Sequence, residues 1–264
     1  MPTLGSTLST STIREVLTAN RTYYVRTDGN DSNTGLVNNS GGAFLTIQKA
    51  VDVTSTLDVS TFTVTIQVAD GTYVANLVTL KNAVGSGEVV IQGNSSTPDN
   101  VVIDGGFVKS SAGTVYTVKD CLIKKNLGNA IIAIDSLNSA KIQFSNVNFN
   151  TGLSYHVRAF GGGFITATGN YKISGGATFH SISAYTGVVN VQAMTVTVTG
   201  TPAFSYFCYA ARFSVQTWEG SSFSGSATGT RYLADLNSVI WCAGGATFFP
   251  GDVSGTTLTG GQYN

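Results

Sequence analysis

The sequence has few charged residues. Asp, Glu, Lys and Arg make up 11% of its 264 residues, less than half of the roughly 25% that is typical of soluble domains. The 14 basic and 14 acidic side chains balance, so the formal net charge is zero. Because binding to phosphates needs clustered Lys and Arg, this composition argues against a nucleic-acid partner.

Long hydrophobic runs and paired cysteines are also lacking. Apolar runs such as residues 130–134 are short, whereas a membrane helix needs about 20 residues, so we expect no membrane insertion. Cys121, Cys208 and Cys242 form no CxxC pair, which predicts small buried side chains rather than disulfides or a zinc site. Residues 1–7 show no features of a secretory signal, so we expect a protein that stays in the cytoplasm unless something else carries it out.

Glycine, threonine and short alternating segments are abundant. The chain contains 31 Gly and 35 Thr, and its 42% of hydrophobic residues can form a core, which excludes disorder. Alternation at period two predicts a strand at residues 62–68, and shorter strands are predicted at 23–25, 88–92 and 101–104. Helices are predicted at residues 44–57, with Thr46 as the N-cap, and in the leader at residues 12–19.

A repeat of about 25 residues organises the second half of the chain. Gly175, Gly200 and Gly225 are 25 positions apart, and Gly251 follows after 26. Glycine suits such a column because it turns corners at positive φ without steric cost. The same phase places Phe179 beside Phe204, one coil further on.

A repeat of this length, built from short strands without helices, predicts the coils of a parallel β-helix. We therefore expect an all-β, single-stranded parallel β-helix of about ten coils over residues 21–264. Residues 1–20 are expected to form a leader that contributes to particle attachment or trimer contact. The helix at 44–57 is expected to cap the open strand edges at the N-terminal end, or else to pack on the side of the solenoid.

Several segments resemble the pectin-lyase-like right-handed β-helix proteins of bacteriophage tails. They are residues 23–35 (YYVRTDGNDSNTG), 43–52 (AFLTIQKAVD), 64–73 (VTIQVADGTY), 224–232 (SGSATGTRY), 250–252 (PGD) and 260–263 (GGQY). The resemblance implies a right-handed coil, a homotrimer on a virion and contact with the host surface. The chain departs from larger tail spikes because it shows neither a long N-terminal particle-binding domain nor a distinct C-terminal trimerisation domain.

A catalytic centre is not identifiable from the sequence. Glycosidases need two carboxylates within about 10 Å, and the repeat places Asp135 and Asp235 four coils, or about 19 Å, apart. Asp99 and Asp104 flank a short strand, but Asp104 begins a natural turn. Arg158, Arg212 and Arg231 lack the Asp clusters of calcium-dependent lyases. Whether the chain is an enzyme stays open.

Two further patterns favour structural roles. His156 and His180 are separated by nearly one coil and are expected to stack, in a surface or inter-subunit position. Residues 28–33 (DGNDSN) resemble the start of a calcium loop, but position six and position twelve carry Asn33 and Asn39, so an Asx turn is the better interpretation. We predict no cofactor and no metal site.

Aromatic residues concentrate in the C-terminal half. Four of them are the candidate glycan-binding residues: Tyr206, Tyr209, Trp218 and Trp241. Aromatic faces bind sugar rings, while Ser, Thr and Asn supply hydrogen bonds. The alternative interpretation is that these rings pack in the core or between subunits.

The sequence therefore predicts a bacteriophage or prophage tail spike or tail fibre component: a rigid trimeric adhesin that contacts host cell-surface glycan. Its expected partners are two further copies of itself, other virion tail proteins bound through the N-terminus, and the host polysaccharide; its expected location is the virion tail, after assembly in the host cytoplasm. Two alternatives remain: a polysaccharide depolymerase with a site between subunits, and a structural or decoration protein of the virion that binds no ligand.

Overall fold

The computed structural model describes residues 14–75, 77–125 and 131–264. Parallel strands stack as a β-solenoid of about 8 turns, which confirms the predicted all-β parallel solenoid and shortens it from the expected ten coils. The described residues contain one α-helix, α1 (Ile47–Ser55), and one turn of 3-10 helix (Pro98–Asn100).

The strands are short, and most are linked by tight corners. In the first half of the chain they are β1 (Arg21–Val25), β2 (Val64–Val68), β3 (Gly71–Val74), β4 (Val78–Thr79), β5 (Val89–Gln92), β6 (Val101–Asp104), β7 (Phe107–Lys109), β8 (Tyr116–Lys124) and β9 (Ile131–Leu137). The next are β10 (Lys141–Phe149), β11 (Leu153–Phe160), β12 (Phe164–Ala167), β13 (Tyr171–Ile173), β14 (Ala177–Ala184), β15 (Val188–Asn190), β16 (Thr195–Val198) and β17 (Ala203–Ala211). The last are β18 (Val215–Thr217), β19 (Ser222–Ser224), β20 (Thr228–Ala234), β21 (Val239–Trp241), β22 (Thr256–Thr257) and β23 (Gln262–Tyr263).

Two parallel sheets form the walls of the solenoid. The first sheet has 15 strands, with a central path β1-β2-β5-β8-β10-β12-β15-β18-β21-β23 and side branches through β3, β6, β13, β16 and β19. The second sheet has 8 strands in the order β22-β20-β17-β14-β11-β9-β7-β4. Each coil contributes a strand to each wall, so residues at equivalent positions stack along the axis.

Helix α1 lies against the N-terminal end of the solenoid. It begins after Thr46, whose side-chain oxygen accepts a hydrogen bond from the Lys49 N–H at 3.2 Å, as the sequence predicts. The Gln48 side chain bonds to both backbone groups of Thr79 on β4, the end strand of the second sheet, at 2.8 and 3.1 Å. The helix thus satisfies an open strand edge, which supports the capping interpretation over packing on the side.

The end strand of the first sheet, β1, is covered by the loop that precedes α1. The Tyr24 N–H donates to the Gly35 carbonyl, and the Tyr24 carbonyl accepts from the Phe44 N–H, at 2.8 and 2.9 Å. The helix expected at residues 12–19 is wrong for the described part of that range, because Val16 instead makes a parallel bridge with Asp58. Backbone pairing with the first coil replaces helical hydrogen bonding there.

The interior is a stack of apolar columns. One column of the first sheet runs through aligned buried positions from the first coils to the middle of the solenoid: Val64, Val89, Tyr116, Ile142, Ile165 and Val189. At the C-terminal end Phe249 is fully buried and packs against Phe207 and Trp218 with ring centroids 5.8 and 5.3 Å apart. Aromatic residues therefore fill the last coils.

Coil length varies more than the glycine spacing predicts. Lys141 pairs with Phe164, 23 positions later, whereas Val188 pairs with Val215, 27 positions later. The expected pairing of Phe179 with Phe204 is consequently wrong by two positions. Phe179 pairs with Tyr206, and Phe204 pairs with Ala177.

A recurring corner joins the second sheet to the first. At each passage from β9 onward two consecutive residues have positive φ: Asn138–Ser139, Gly161–Gly162, Tyr185–Thr186, Arg212–Phe213, Leu236–Asn237 and Thr259–Gly260. Hydrogen bonds connect neighbouring corners, such as Thr186 N–H to the Arg212 carbonyl at 3.1 Å and Phe213 N–H to the Leu236 carbonyl at 3.0 Å. This stack fixes the edge of the surface on which the candidate site lies.

Candidate functional site

Aromatic rings stack on the outer surface of the second sheet. Tyr155 on β11, Phe179 on β14 and Tyr206 on β17 are paired in register on successive coils. Their ring centroids are 5.2 and 5.9 Å apart and their planes differ by 13° and 20°. All three side chains are partly exposed, so they form a continuous aromatic strip that follows the solenoid axis.

Tyr209 widens this strip on its C-terminal side. Its ring lies 5.4 Å from Phe179 and 5.8 Å from Tyr206, and it is also partly exposed. Burial raises the pKa of Tyr209, and the charge of Asp235 adds to the rise. We call Tyr155, Phe179, Tyr206 and Tyr209 the aromatic face.

The two candidate tryptophans lie elsewhere. Trp218 is fully buried, and its indole N–H donates to the Gln216 side-chain oxygen at 3.2 Å inside the core. Trp241 is 43% exposed, but it belongs to β21 of the first sheet. The structure therefore brings Tyr206 and Tyr209 together and places Trp218 and Trp241 away from them.

A paired arginine and aspartate border the aromatic face. Arg158 on β11 is in register with Asp135 on β9, and its Nε and Nη2 donate to Oδ1 and Oδ2 at 2.9 and 2.7 Å. Burial raises the pKa of the Asp135 carboxyl, and Arg158 opposes that rise. The Arg158 Cζ lies 5.9 Å from the Tyr155 ring centroid and 5.7 Å from that of Phe160.

The surface of the aromatic face continues to the corners that join the second sheet to the first. The rings of Phe160 and Tyr185 are 4.5 Å apart, and the Arg212 guanidinium lies 4.5 Å from the Tyr185 centroid. Phe213, the neighbour of Arg212, is exposed. The aromatic face is thus flanked by two arginines and by further apolar side chains at the corner.

Each candidate carboxylate that the structure describes has a partner or an alignment of its own. Asp135 aligns, coil by coil, with Leu233 rather than with Asp235, because the intervening coils differ in length. Asp99 accepts hydrogen bonds from Asn148 and Lys172 at 2.8 and 3.2 Å. Asp104 is buried, with the Lys125 ammonium 3.6 Å away.

The two histidines lie in the core, which corrects the expected surface position. His156 and His180 are both fully buried, with their Nδ1 atoms 3.0 Å apart, so the predicted contact between neighbouring coils does form. The Tyr171 hydroxyl lies 2.9 Å from His180 Nε2. Aromatic rings surround the pair, including Phe149, which stacks on His156 at 5.2 Å.

The loop at residues 28–33 is built by internal hydrogen bonds. Arg26 donates to both carboxylate oxygens of Asp28, and the Asn30 side chain accepts from the Ser32 N–H at 2.8 Å, which is an Asx turn. Within the described ranges, no three His, Cys, Asp or Glu side chains group as metal ligands. The three cysteines are buried free thiols, as predicted.

Comparison with known proteins adds no relative. No family model, no curated protein and no solved structure matches the chain. Among the described residues, no helix is both long and apolar enough to cross a membrane. The fold defines the chain as a parallel β-solenoid, and the aromatic face is the surface on which the candidate residues Tyr206 and Tyr209 lie.

Sequence reasoning missed half of the aromatic face and its charged border. Tyr155 and Phe179 lie one coil apart, as do Asp135 and Arg158, but the register that aligns them departs from the spacing of the glycines. The more useful signal was that Tyr155 and Phe179 have the same separation in the sequence as His156 and His180.

Proposed function

We propose that this chain is a rigid β-solenoid module of a bacteriophage-type tail spike or tail fibre, and that it adheres to host surface polysaccharide through the aromatic face. Two observations support this proposal. The segments at residues 23–73 resemble the opening of phage tail β-helices, and the fold is a parallel β-solenoid of about 8 turns.

The observation that carries the glycan-binding part is the register of the aromatic face. Tyr155, Phe179 and Tyr206 present three nearly parallel, partly exposed rings at one coil per step. The C–H groups on the flat side of a sugar ring pack on the electron-rich face of an aromatic ring. Rings at regular steps suit a polymer whose sugar units repeat along the solenoid axis.

The quaternary part of the proposal is a homotrimer on the virion tail. Three solenoids side by side, with parallel axes, form a closed cyclic assembly. In this arrangement the aromatic face points outward, and other surfaces of the solenoid make the contacts between subunits. Attachment to other tail proteins through the N-terminal leader remains part of the proposal.

Ring truncation tests the glycan-binding proposal. We expect Tyr206→Ala to weaken binding to host surface polysaccharide about fivefold, because one stacked ring contributes about 1 kcal/mol. The measurement is biolayer interferometry on immobilised polysaccharide. Tyr24→Ala is the matched control, because Tyr24 is a partly exposed tyrosine on the first sheet.

Equal affinities for wild type and Tyr206→Ala would overturn the proposal. The same samples are assayed for new reducing ends and unsaturated uronates. Release of such products by the wild type would replace the adhesin with the depolymerase alternative.

A further inference from the structure

The Asp135–Arg158 pair forms a rigid fork beside the aromatic face. Both carboxylate oxygens are engaged by separate guanidinium nitrogens, at 2.9 and 2.7 Å. The Asp135 side chain is 7% exposed and that of Arg158 is 28% exposed. A two-bonded contact of this kind fixes the plane of the guanidinium as well as its position.

Two aromatic rings hold the same guanidinium from other directions. Its Cζ lies 5.9 Å from the ring centroid of Tyr155 and 5.7 Å from that of Phe160, close enough for a cation to be attracted to a ring face. Arg158 is therefore ordered before any ligand arrives. Binding through an ordered side chain avoids the entropy loss of freezing a long flexible one.

One nitrogen of Arg158 remains available. Nε and Nη2 donate to Asp135, and Nη1 has no hydrogen-bond partner among the residues that the structure describes. Because the side chain is partly exposed, this donor is open to an acceptor that approaches the Tyr155 end of the aromatic face.

The charge at this point is balanced. The Asp135 carboxylate lies as close to Arg158 as a hydrogen bond allows, so an approaching anion is repelled by the aspartate while it is attracted by the arginine. An uncharged hydroxyl or ring oxygen accepts the same hydrogen bond without that repulsion. The Asp135–Arg158 pair therefore favours a neutral hydrogen-bond acceptor over an anion.

We propose that Arg158 is the polar anchor of a saccharide subsite at Tyr155, and that this subsite takes an uncharged sugar residue. The sugar ring lies on the Tyr155 face, and one of its oxygens accepts a hydrogen bond from Nη1. Asp135 acts as a positioning residue that holds the guanidinium and cancels its charge. This inference rests on the proposed function and names the sugar class for it.

The test measures dissociation constants for fluorescent oligosaccharides of two kinds: neutral fragments of dextran and mannan, and acidic fragments of polygalacturonate and polysialate. We expect the wild-type protein to bind a neutral fragment, with less than a twofold change between about 0.05 and about 0.5 M NaCl. Arg158→Lys is expected to weaken that binding about tenfold, because lysine lacks the planar guanidinium group that bonds to Asp135 and to the sugar at the same time. Arg26→Lys is the matched control, since Arg26 makes an equivalent two-bonded pair with Asp28 far from the aromatic face.

Removing the charge of Asp135 tests whether the Asp135–Arg158 pair acts in sugar binding or only supports the fold. Asp135→Asn keeps the shape but leaves the Arg158 charge uncompensated, so affinity for the acidic fragments is expected to rise at least threefold, and only at low salt. Preference of the wild type for acidic fragments, or unchanged neutral binding in Arg158→Lys, would overturn the anchor while leaving the aromatic face intact. Absence of any binding by the wild type, with all four fragments, would overturn the proposed function and the anchor together.

Discussion

The buried histidine pair shows how single residues set the chemistry of the core. Two nitrogens 3.0 Å apart need one proton between them, so one His donates through Nδ1 and the other accepts. His156 Nε2 has no hydrogen-bond partner among the described residues. A further proton on His156 Nε2 would therefore lie in an apolar interior without an acceptor among the described residues, and one on His180 Nε2 would face the Tyr171 hydroxyl.

Burial lowers the pKa of both histidines, that of His156 to about 3, and the neighbouring His156 lowers that of His180 further. The Tyr171 hydroxyl, which lies 2.9 Å from His180 Nε2, has a pKa that burial raises, so it is neutral near pH 7. A neutral hydroxyl compensates the charge of an imidazolium much less than a carboxylate would.

Acid is expected to destabilise the fold through this pair. The unfolded chain binds protons at each His below about pH 6.5 and the folded chain does not, so the free energy of unfolding falls by about 2 kcal/mol per His between about pH 7 and about pH 5. Stability is thus fully present above the unfolded pKa and is lost as the pH falls toward the folded pKa. Urea unfolding followed by circular dichroism at the two pH values measures it.

The double variant His156→Phe/His180→Phe is the control for that measurement. It keeps aromatic packing and removes both titrating groups, so its loss of stability between the two pH values is expected to be smaller by about 4 kcal/mol. An unchanged difference between the two pH values would show that the pair does not govern acid stability.

At the scale of elements, the aromatic face depends on a change in strand alternation. In β11, β14 and β17 two consecutive residues point inward: His156–Val157, His180–Ser181 and Phe207–Cys208. The pairing register shifts by one residue at Leu153/Tyr155 against β9, and again at Phe204/Tyr206 against β20. These bulges turn Tyr155 and Tyr206 outward.

The bulges explain what the sequence could and could not predict. Strict alternation was sufficient for β2, and the Thr46 cap located α1. The same alternation puts Tyr155 and Arg158 on opposite faces of β11, although both are partly exposed in the structure. The aromatic face can therefore be located only when the pairing of strands is known residue by residue. A repeat of fixed length does not give that pairing, because successive coils differ in length.

A glycine on the neighbouring strand β20 permits the second bulge. Gly229 has φ +101, and a Cβ there would lie 1.7 Å from the Phe204 carbonyl oxygen. We expect Gly229→Ala to lower the free energy of unfolding by about 3 kcal/mol, because the new contact is with backbone and the conformation disfavours a side chain. Urea unfolding at neutral pH provides the measurement.

Gly41→Ala is the matched control, since its nearest neighbour would be the Asn39 side-chain oxygen at 3.6 Å and its φ is not positive. A stability for Gly229→Ala equal to that of the control would refute the role of this glycine in the bulge.

At the scale of the molecule, other parts of the chain cover the first strands of the described solenoid, and aromatic side chains pack in its last coil. Gln48 of α1 and the loop carbonyl of Gly35 satisfy the first edges of the two sheets. Tyr263 stacks on Tyr232 with ring centroids 3.6 Å apart and planes 2° from parallel in the last coil. A stack of coils held in register along one axis is a stiff support for a row of binding residues.

This architecture links the proposed function to its assembly. The aromatic face runs along the axis, so a bound polymer would lie lengthwise on the module. For a trimer to adhere in this way, the aromatic face must stay on the outside while another surface is buried between subunits. Glycan binding by this face and burial of the same face in the trimer exclude each other.

The most direct test is a crystal structure of the protein grown with the neutral oligosaccharide that it binds most tightly. We expect three chains around one axis, with a sugar ring on Tyr155, one of its oxygens at Arg158 Nη1, and further sugar units along the exposed parts of Phe179 and Tyr206. Sugar density on a different surface, or an aromatic face covered by a neighbouring subunit of the trimer, would contradict it.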